Sequence, residues 1–239
     1  MRIDVLGVLF DNLTKAEAVD KAYDLMCRRQ GAYVVTPNPE IVMHCRENEE
    51  MRAAVSEASL VIADGIGVIY GARILKTPLK EKIPGIDFTT ELLAKMAEQG
   101  KSVYLFGSKP GVAEMAGENL VKRFEGLQLA GCHDGYFTND ANIVRRINEA
   151  APDLLLVCLG APRQELWMRS RCAEVSAGLM IGAGGSIDVF AGVVQRAPEF
   201  WQRSGLEWLY RLLKEPRRIG RMMKLPKFLL CVIFESMKK

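Results

Sequence analysis

The chain has 239 residues, 49% of them hydrophobic, enough for one sizeable core or for a core with a small appendage. Its formal charge of +3 hides an asymmetry: residues 203–239 carry ten Lys/Arg against three Asp/Glu, while the first 202 residues hold 26 acidic and 22 basic groups. The six cysteines form no CxxC pair and only two histidines accompany them, which excludes a zinc-ligand spacing. No apolar run is long enough to span a bilayer, the longest in the tail being 228–234.

Strand-length apolar runs alternate with helical patterns along the chain. Residues 3–8 read as the first strand, and because Asp4 and Asp11 bracket only a short apolar run, no signal peptide is expected. A helix follows with its own limits: Thr14 and Glu17 make a capping box, Val19, Ala22, Tyr23 and Met26 an apolar stripe, and Gly31 lies beyond its end. Residues 32–36 read as a strand and 40–58 as helix with a break near Asn48. Strands are then expected at 60–63, 102–106, 127–131, 153–159 and 179–181, and helices at 87–99, 110–124, 140–151 and 162–171. This alternation predicts an α/β, Rossmann-like fold: a largely parallel sheet with helices on both faces. The composition shifts near residues 192–198, and beyond Arg196-Ala197-Pro198 the pattern is helical, aromatic and basic. The expected division is a core over 1–195 and a basic amphipathic helical appendage over 196–239. Cys27, Cys45, Cys132, Cys158, Cys172 and Cys231, most of them among apolar neighbours, are expected as free and largely buried thiols.

In an open parallel sheet, ligands bind outside the carboxyl ends of the strands. Five expected strands run directly into glycines or polar residues: Thr36-Pro37-Asn38-Pro39, Asp64-Gly65-Ile66-Gly67, Gly107-Ser108-Lys109-Pro110-Gly111, Gly160-Ala161-Pro162-Arg163-Gln164-Glu165 and Gly182-Ala183-Gly184-Gly185-Ser186. Two readings stand for most of them. Gly65, Gly67 and Gly71 imitate a dinucleotide fingerprint, although Asp87, at about the distance of the ribose-gripping acid, looks like a helix N-cap after Pro84-Gly85. The stretch 107–111 either cradles phosphate on free N–H groups or is a tight turn. Asp64 is either a rim carboxylate available for catalysis or the N-cap of a helix beginning near Ile66.

Read in order, these pieces resemble the WecG/TagA/CpsF family of bacterial glycosyltransferases. The resemblance covers most of the chain: Thr36-Pro37-Asn38-Pro39-Glu40, Ala63-Asp64-Gly65-Ile66-Gly67, Gly85-Ile86-Asp87, Leu105-Phe106-Gly107, Lys109-Pro110-Gly111, Gly160 to Glu165, Gly182-Ala183-Gly184, Arg196-Ala197-Pro198 and Gly205 through Arg218. It implies inverting transfer of an N-acetylmannosamine-type sugar from UDP to undecaprenyl-diphosphate-linked GlcNAc, as in teichoic acid linkage-unit synthesis. The uronic acid ManNAcA is the alternative donor sugar, and a nicotinamide oxidoreductase the remoter reading. Asp64 is the expected base. Thr36, Asn38, Lys82, Asp87, Gly107, Lys109, Arg163, Gln164, Gly184, Arg211, Arg218 and Arg221 are the expected substrate-binding residues. The family often carries an arginine before Gly-x-Asp. Here Lys80 and Lys82 are the available cations, and lysine offers a point charge without a bidentate fork.

No Asp-x-Asp occurs, so no metal and no resident cofactor are expected, and cations with helix N-termini must meet the charge on departing UDP. On an ideal helix, Arg211, Lys214, Arg218 and Arg221 share a face, with Pro216 as a point of kinking. A solvated basic face is the competing reading. The apolar companions Leu209, Leu212, Leu213, Ile219, Met222, Met223, Leu225 and Phe228 need a surface, and the inner face of the cytoplasmic membrane, where a lipid-linked acceptor resides, fits. Nucleic acid is not expected as a partner, and self-association is left open.

Overall fold

Strands whose residues are apolar without alternation must be covered on both sides, and this chain supplies several. In the computed structural model, which describes residues 1–216 and 219–238 apart from the Arg221 side chain, six of them form one parallel sheet. They are β3 (Tyr33–Val35), β4 (Leu60–Val61), β5 (Ser102–Gly107), β6 (Gln128–His133), β7 (Leu154–Cys158) and β8 (Leu179–Gly182), in the order β4-β3-β8-β7-β5-β6. Side chains alternate across it: Leu155 and Val157 enter one core, Leu154 and Leu156 the other. The first core is closed by α2 (Pro39–Glu47), α3 (Glu49–Ser56), α4 (Ile66–Ile74), α7 (Ala141–Ala150) and α8 (Arg163–Arg171). The second is closed by α1 (Lys15–Arg28), α5 (Gly85–Ala97), α6 (Val112–Arg123) and α9 (Ser186–Phe190).

Local signals account for most boundaries. The Thr14–Glu17 capping box starts α1, and Arg29, in the left-handed conformation, ends it. The helix expected over 40–58 breaks at Asn48, whose N–H donates to the His44 carbonyl while its Oδ1 accepts from Met51 N (2.8 Å). At the opposite edge of the sheet, the Arg29 guanidinium donates to the carbonyls of Ala151 (3.0 Å) and Ser176 (3.1 Å), joining the turns that feed β7 and β8.

The start of the chain differs from expectation. Residues 3–8 are not one strand but part of an antiparallel hairpin, β1 (Arg2–Val5) with β2 (Val8–Asp11). Leu6 and Gly7 both take positive φ (57° and 88°), the geometry of a two-residue primed turn, and Gly7 N–H is held by Asp4 Oδ1 at 2.7 Å. A leucine in the first turn position hid the reversal. The thiols differ too: all six are unpaired, yet Cys27 is exposed and only Cys45 and Cys158 are buried.

The tail contains α10 (Glu199–Arg203), α11 (Glu207–Lys214), α12 (Ile219–Met222) and α13 (Lys224–Ser236). The helix carrying the expected basic face is interrupted where Pro216 marks a kink, and α11 stops at Lys214. Glu215, preceding Pro216, leaves the helical region (φ −132°, ψ 82°), as the proline ring demands. Phe228, expected to seek an external surface, is instead fully buried in the first core. α13 packs on α2 and α4, and two glycines of α4 make room for it. A Cβ on Gly71 would stand 2.8 Å from the Phe228 ring, and one on Gly67 2.9 Å from Leu225. Lys224 and Lys227 add ion pairs to Glu47. No helix among the described residues is long and apolar enough to cross a membrane.

Candidate active site

Parallel strands deliver all their carboxyl ends to one edge. There the chain leaves β3 into α2 on one face and leaves the adjacent β8 into α9 on the other, so a crevice opens between them. Its floor is polar and tightly held. Thr36 Oγ1 donates to the Gly182 carbonyl at 3.4 Å. Gln164, on the first turn of α8 and 3% exposed, accepts from Gly184 N–H at 3.1 Å. Asn38 caps α2, its Oδ1 taking the Ile41 N–H at 3.0 Å.

Asp64 stands on the loop after β4, and its N–H donates to the Pro37 carbonyl (3.1 Å), which fixes it beside the β3 loop. It does not cap α4: Gly65 occupies the N-cap position, with φ 90° and no side-chain bond. The Asp64 carboxylate instead accepts one long bond, 3.4 Å, from Gly85 N–H at the start of α5. Burial pushes its pKa up to about 6, a rise that the Gly85 N–H, Arg211 and Lys82 oppose and Glu207 reinforces. A carboxyl titrating there is a base at neutral pH and holds a proton more readily than an ordinary aspartate.

The charges around Asp64 come from the segment that leads into α5 and from the tail. Lys82 Nζ lies 3.5 Å from the Gln202 carbonyl, whereas Lys80 turns away and pairs with Glu17 (2.7 Å). Asp87 is not the N-cap expected of it; Pro84 has that position, and Asp87, in the first turn of α5, holds Arg196 bidentately. Arg196 Nε lies 3.9 Å from Glu207, which accepts from Arg211 at 2.5 Å. Asp87, Arg196, Glu207 and Arg211 thus form a relay of alternating charge that ties the tail to the rim. The sequence reading missed Arg196 and Glu207. Arg196 reads as part of a chain break, although an arginine between Val193-Val194-Gln195 and Ala197-Pro198 was the available signal. Glu207 is an acid in an otherwise basic stretch.

Other expected residues fall elsewhere. Gly107 is where β5 and β7 approach, since a Cβ there would lie 2.3 Å from the Cys158 carbonyl oxygen. Lys109 is exposed on the turn that follows. Its neighbour Ser108 hydrogen-bonds Asp188 at 2.5 Å. Arg163 stacks over Phe137 (4.5 Å) and lines a groove between α3 and α8. The structure therefore brings together Thr36, Asn38, Asp64, Gln164 and Gly184, with Lys82 and Arg211 acting on Asp64. It sets Gly107, Lys109 and Arg163 over strands β5 and β7. Arg218 and the side chain of Arg221 lie outside the described residues.

A family model described as "Glycosyl transferase WecG/TagA/CpsF family" matches residues 3–239. A Bacillus spizizenii protein is 36% identical over 206 residues, 86% of this chain and 80% of its own length. A Staphylococcus aureus protein is 34% identical over 230 residues, 95% of this chain and 91% of its own. Both are named N-acetylglucosaminyldiphosphoundecaprenol N-acetyl-beta-D-mannosaminyltransferase.

Proposed function

The chain belongs to the WecG/TagA/CpsF glycosyltransferase family, and from that premise we propose that it transfers N-acetylmannosamine from UDP-ManNAc to GlcNAc-diphosphoundecaprenol, forming a β-linked lipid disaccharide of the teichoic acid linkage unit. The observation that carries the reading is Asp64: a carboxyl beside the β3–β8 crevice, raised to about 6 by burial and left free of helix α4. In inverting transfer the acceptor hydroxyl attacks the anomeric carbon as its proton passes to Asp64. The bond from that carbon to UDP breaks, and its electron pair leaves with the diphosphate.

Thr36, Asn38, Gln164 and Gly184 position the sugars from the crevice floor. Lys82 and Arg211, with Arg218 and Arg221, meet the charge that develops on UDP, and Lys109 and Arg163 are the next candidates for that work. The appendage over 196–239 serves the membrane surface as well, at the cytoplasmic face where a lipid-linked acceptor is reached. Its support is the set of exposed apolar side chains on α13 and at its C-terminal cap, Leu230, Phe234 and Met237, together with the basic charge of the tail. The dinucleotide reading loses its motif, because Gly67 and Gly71 are filled by contacts to α13.

The test is direct. UDP-ManNAc, UDP-ManNAcA and UDP-GlcNAc are offered in turn with a short-chain lipid-diphosphate-GlcNAc, and the products are read by mass and anomeric configuration. A β-linked disaccharide from UDP-ManNAc is expected, and turnover confined to another donor would replace the proposed sugar.

A further inference from the structure

Glu165 is a buried acid with no role in the proposed chemistry. It lies in the first turn of α8, is 0% exposed, and its Oε2 has no hydrogen-bond partner. Burial holds its carboxyl above the usual carboxylate range, and the nearby Glu40 adds to the rise. A half-satisfied buried carboxyl costs stability, and a methionine or leucine of similar volume would cost nothing of the kind. Such a group is kept for what its one polar contact does.

That contact is Gln164 Nε2, which donates to Glu165 Oε1 at 2.9 Å. The other end of the same amide, Gln164 Oε1, accepts from Gly184 N–H at 3.1 Å. The two bonds fix the amide in one orientation. A flip would set an NH2 against the Gly184 N–H and a carbonyl against the Glu165 oxygen, donor facing donor and acceptor facing acceptor. The amide nitrogen then lies 3.0 Å from where a Gly182 Cβ would be, and the Gly182 carbonyl is the acceptor for Thr36. One Nε2 hydrogen is committed to Glu165, and the nitrogen that carries the other lies against Gly182 at the end of β8.

We propose that Glu165 is a positioning residue, an oxygen acceptor buried behind the site that locks the Gln164 amide so that its second N–H serves the bound sugar. This rests on the reading of Gln164 as a sugar-positioning residue. Removing the lock should leave the fold intact or firmer while degrading turnover, the reverse of what a structural group does.

Full-length Glu165→Met, Glu165→Gln and Gln164→Ala variants, and the Glu165→Met/Gln164→Ala double variant, test this. Glu165→Met is expected to melt at or above the wild-type temperature, yet to lose about tenfold or more in kcat/KM, the scale of one hydrogen bond. Glu165→Gln offers an amide oxygen to the same N–H and should restore turnover to within about threefold. In the double variant, Glu165→Met should add nothing to the loss caused by Gln164→Ala. Independent of activity, the side-chain NH2 signals of Gln164 in 15N NMR should stand away from those of an unconstrained glutamine in the wild type and in Glu165→Gln, and move toward them in Glu165→Met. Unchanged turnover in Glu165→Met, a lower melting temperature in both Glu165 variants, additive losses, or unaltered Gln164 signals would each overturn the proposal. Full turnover in Gln164→Ala with the NMR change still present would instead sink the reading of Gln164 and leave the lock standing as a structural fact without a catalytic purpose.

Discussion

Asp64 carries two consequences that can be measured separately. As a base it must be ionised, so kcat/KM should climb with pH through about 6 and level off above it. Stability runs the opposite way. A carboxyl whose folded pKa is raised favours the native state when protonated. Its contribution is therefore complete below the unfolded value near 4 and is lost as pH rises through about 6. Asp64→Asn should thus melt at or above the wild type at pH 8, the advantage fading below about pH 4, while turnover falls by about 10²–10⁴-fold. An Asp64→Asn enzyme of normal turnover, or one destabilised at pH 8, would refute the assignment. At this scale the sequence told which residues crowd the strand ends but not how each is used. Asn38 was legible as a polar rim residue, and only coordinates show its oxygen capping α2. Arg196 was hard to read because its partner Asp87 lies far away in the chain, whereas Glu207 and Arg211 are an i,i+4 pair on α11 that helical spacing alone could have shown.

Among the elements, the helix α13 departs most from what its sequence suggested. Of the apolar tail residues expected to need a surface, Leu225 and Phe228 lie on this helix, and the apolar residues along and just past it divide into two sets. Phe228 and Val232 fill the core against Gly71, while Phe234 and Met237 are 63% and 77% exposed. Phe228→Ala should destabilise the protein by about 3–5 kcal/mol in chemical denaturation, as for a buried Phe elsewhere. Gly71→Leu should displace α13 by overpacking, at a cost of about 1–3 kcal/mol. Phe234→Ser should shift stability by less than about 0.5 kcal/mol and weaken flotation with anionic vesicles. Equal loss of stability in the Phe234 and Phe228 variants would show that α13 is inward-facing throughout. Helical periodicity could not make this division, since a stripe is apolar whether it meets protein or lipid. The break after Lys214 was better marked, with Pro216 already in view.

For the whole molecule, the parallel sheet was the most legible feature, because uninterrupted runs such as residues 154–158 demand cover on both faces. The hairpin at the start was the least, because two strands and a leucine-containing turn imitate a single run. The chain lacks an Asp-x-Asp pair, and cations of the body and tail are assigned its work. Turnover is accordingly expected to persist in excess EDTA, and loss restored by Mg²⁺ or Mn²⁺ alone would require a different account of the leaving group. Binding to anionic vesicles should fall with ionic strength, while turnover on a water-soluble acceptor changes less.

The Arg29 tie beneath β7 and β8 marks the amino edge of the sheet, opposite the proposed site. A parallel sheet gives the molecule a working end and a blank end, and the turn between α6 and β6, at exposed Glu125, belongs to the blank one. That geometry makes the protein suitable for oriented tethering. A fluorophore or affinity handle inserted beside Glu125 would leave the crevice facing away from the support. Gly126 must be kept, since a Cβ there would lie 2.5 Å from the Ala97 carbonyl oxygen. Enzyme anchored in this way could be presented to a supported bilayer with its reactive edge toward the lipid.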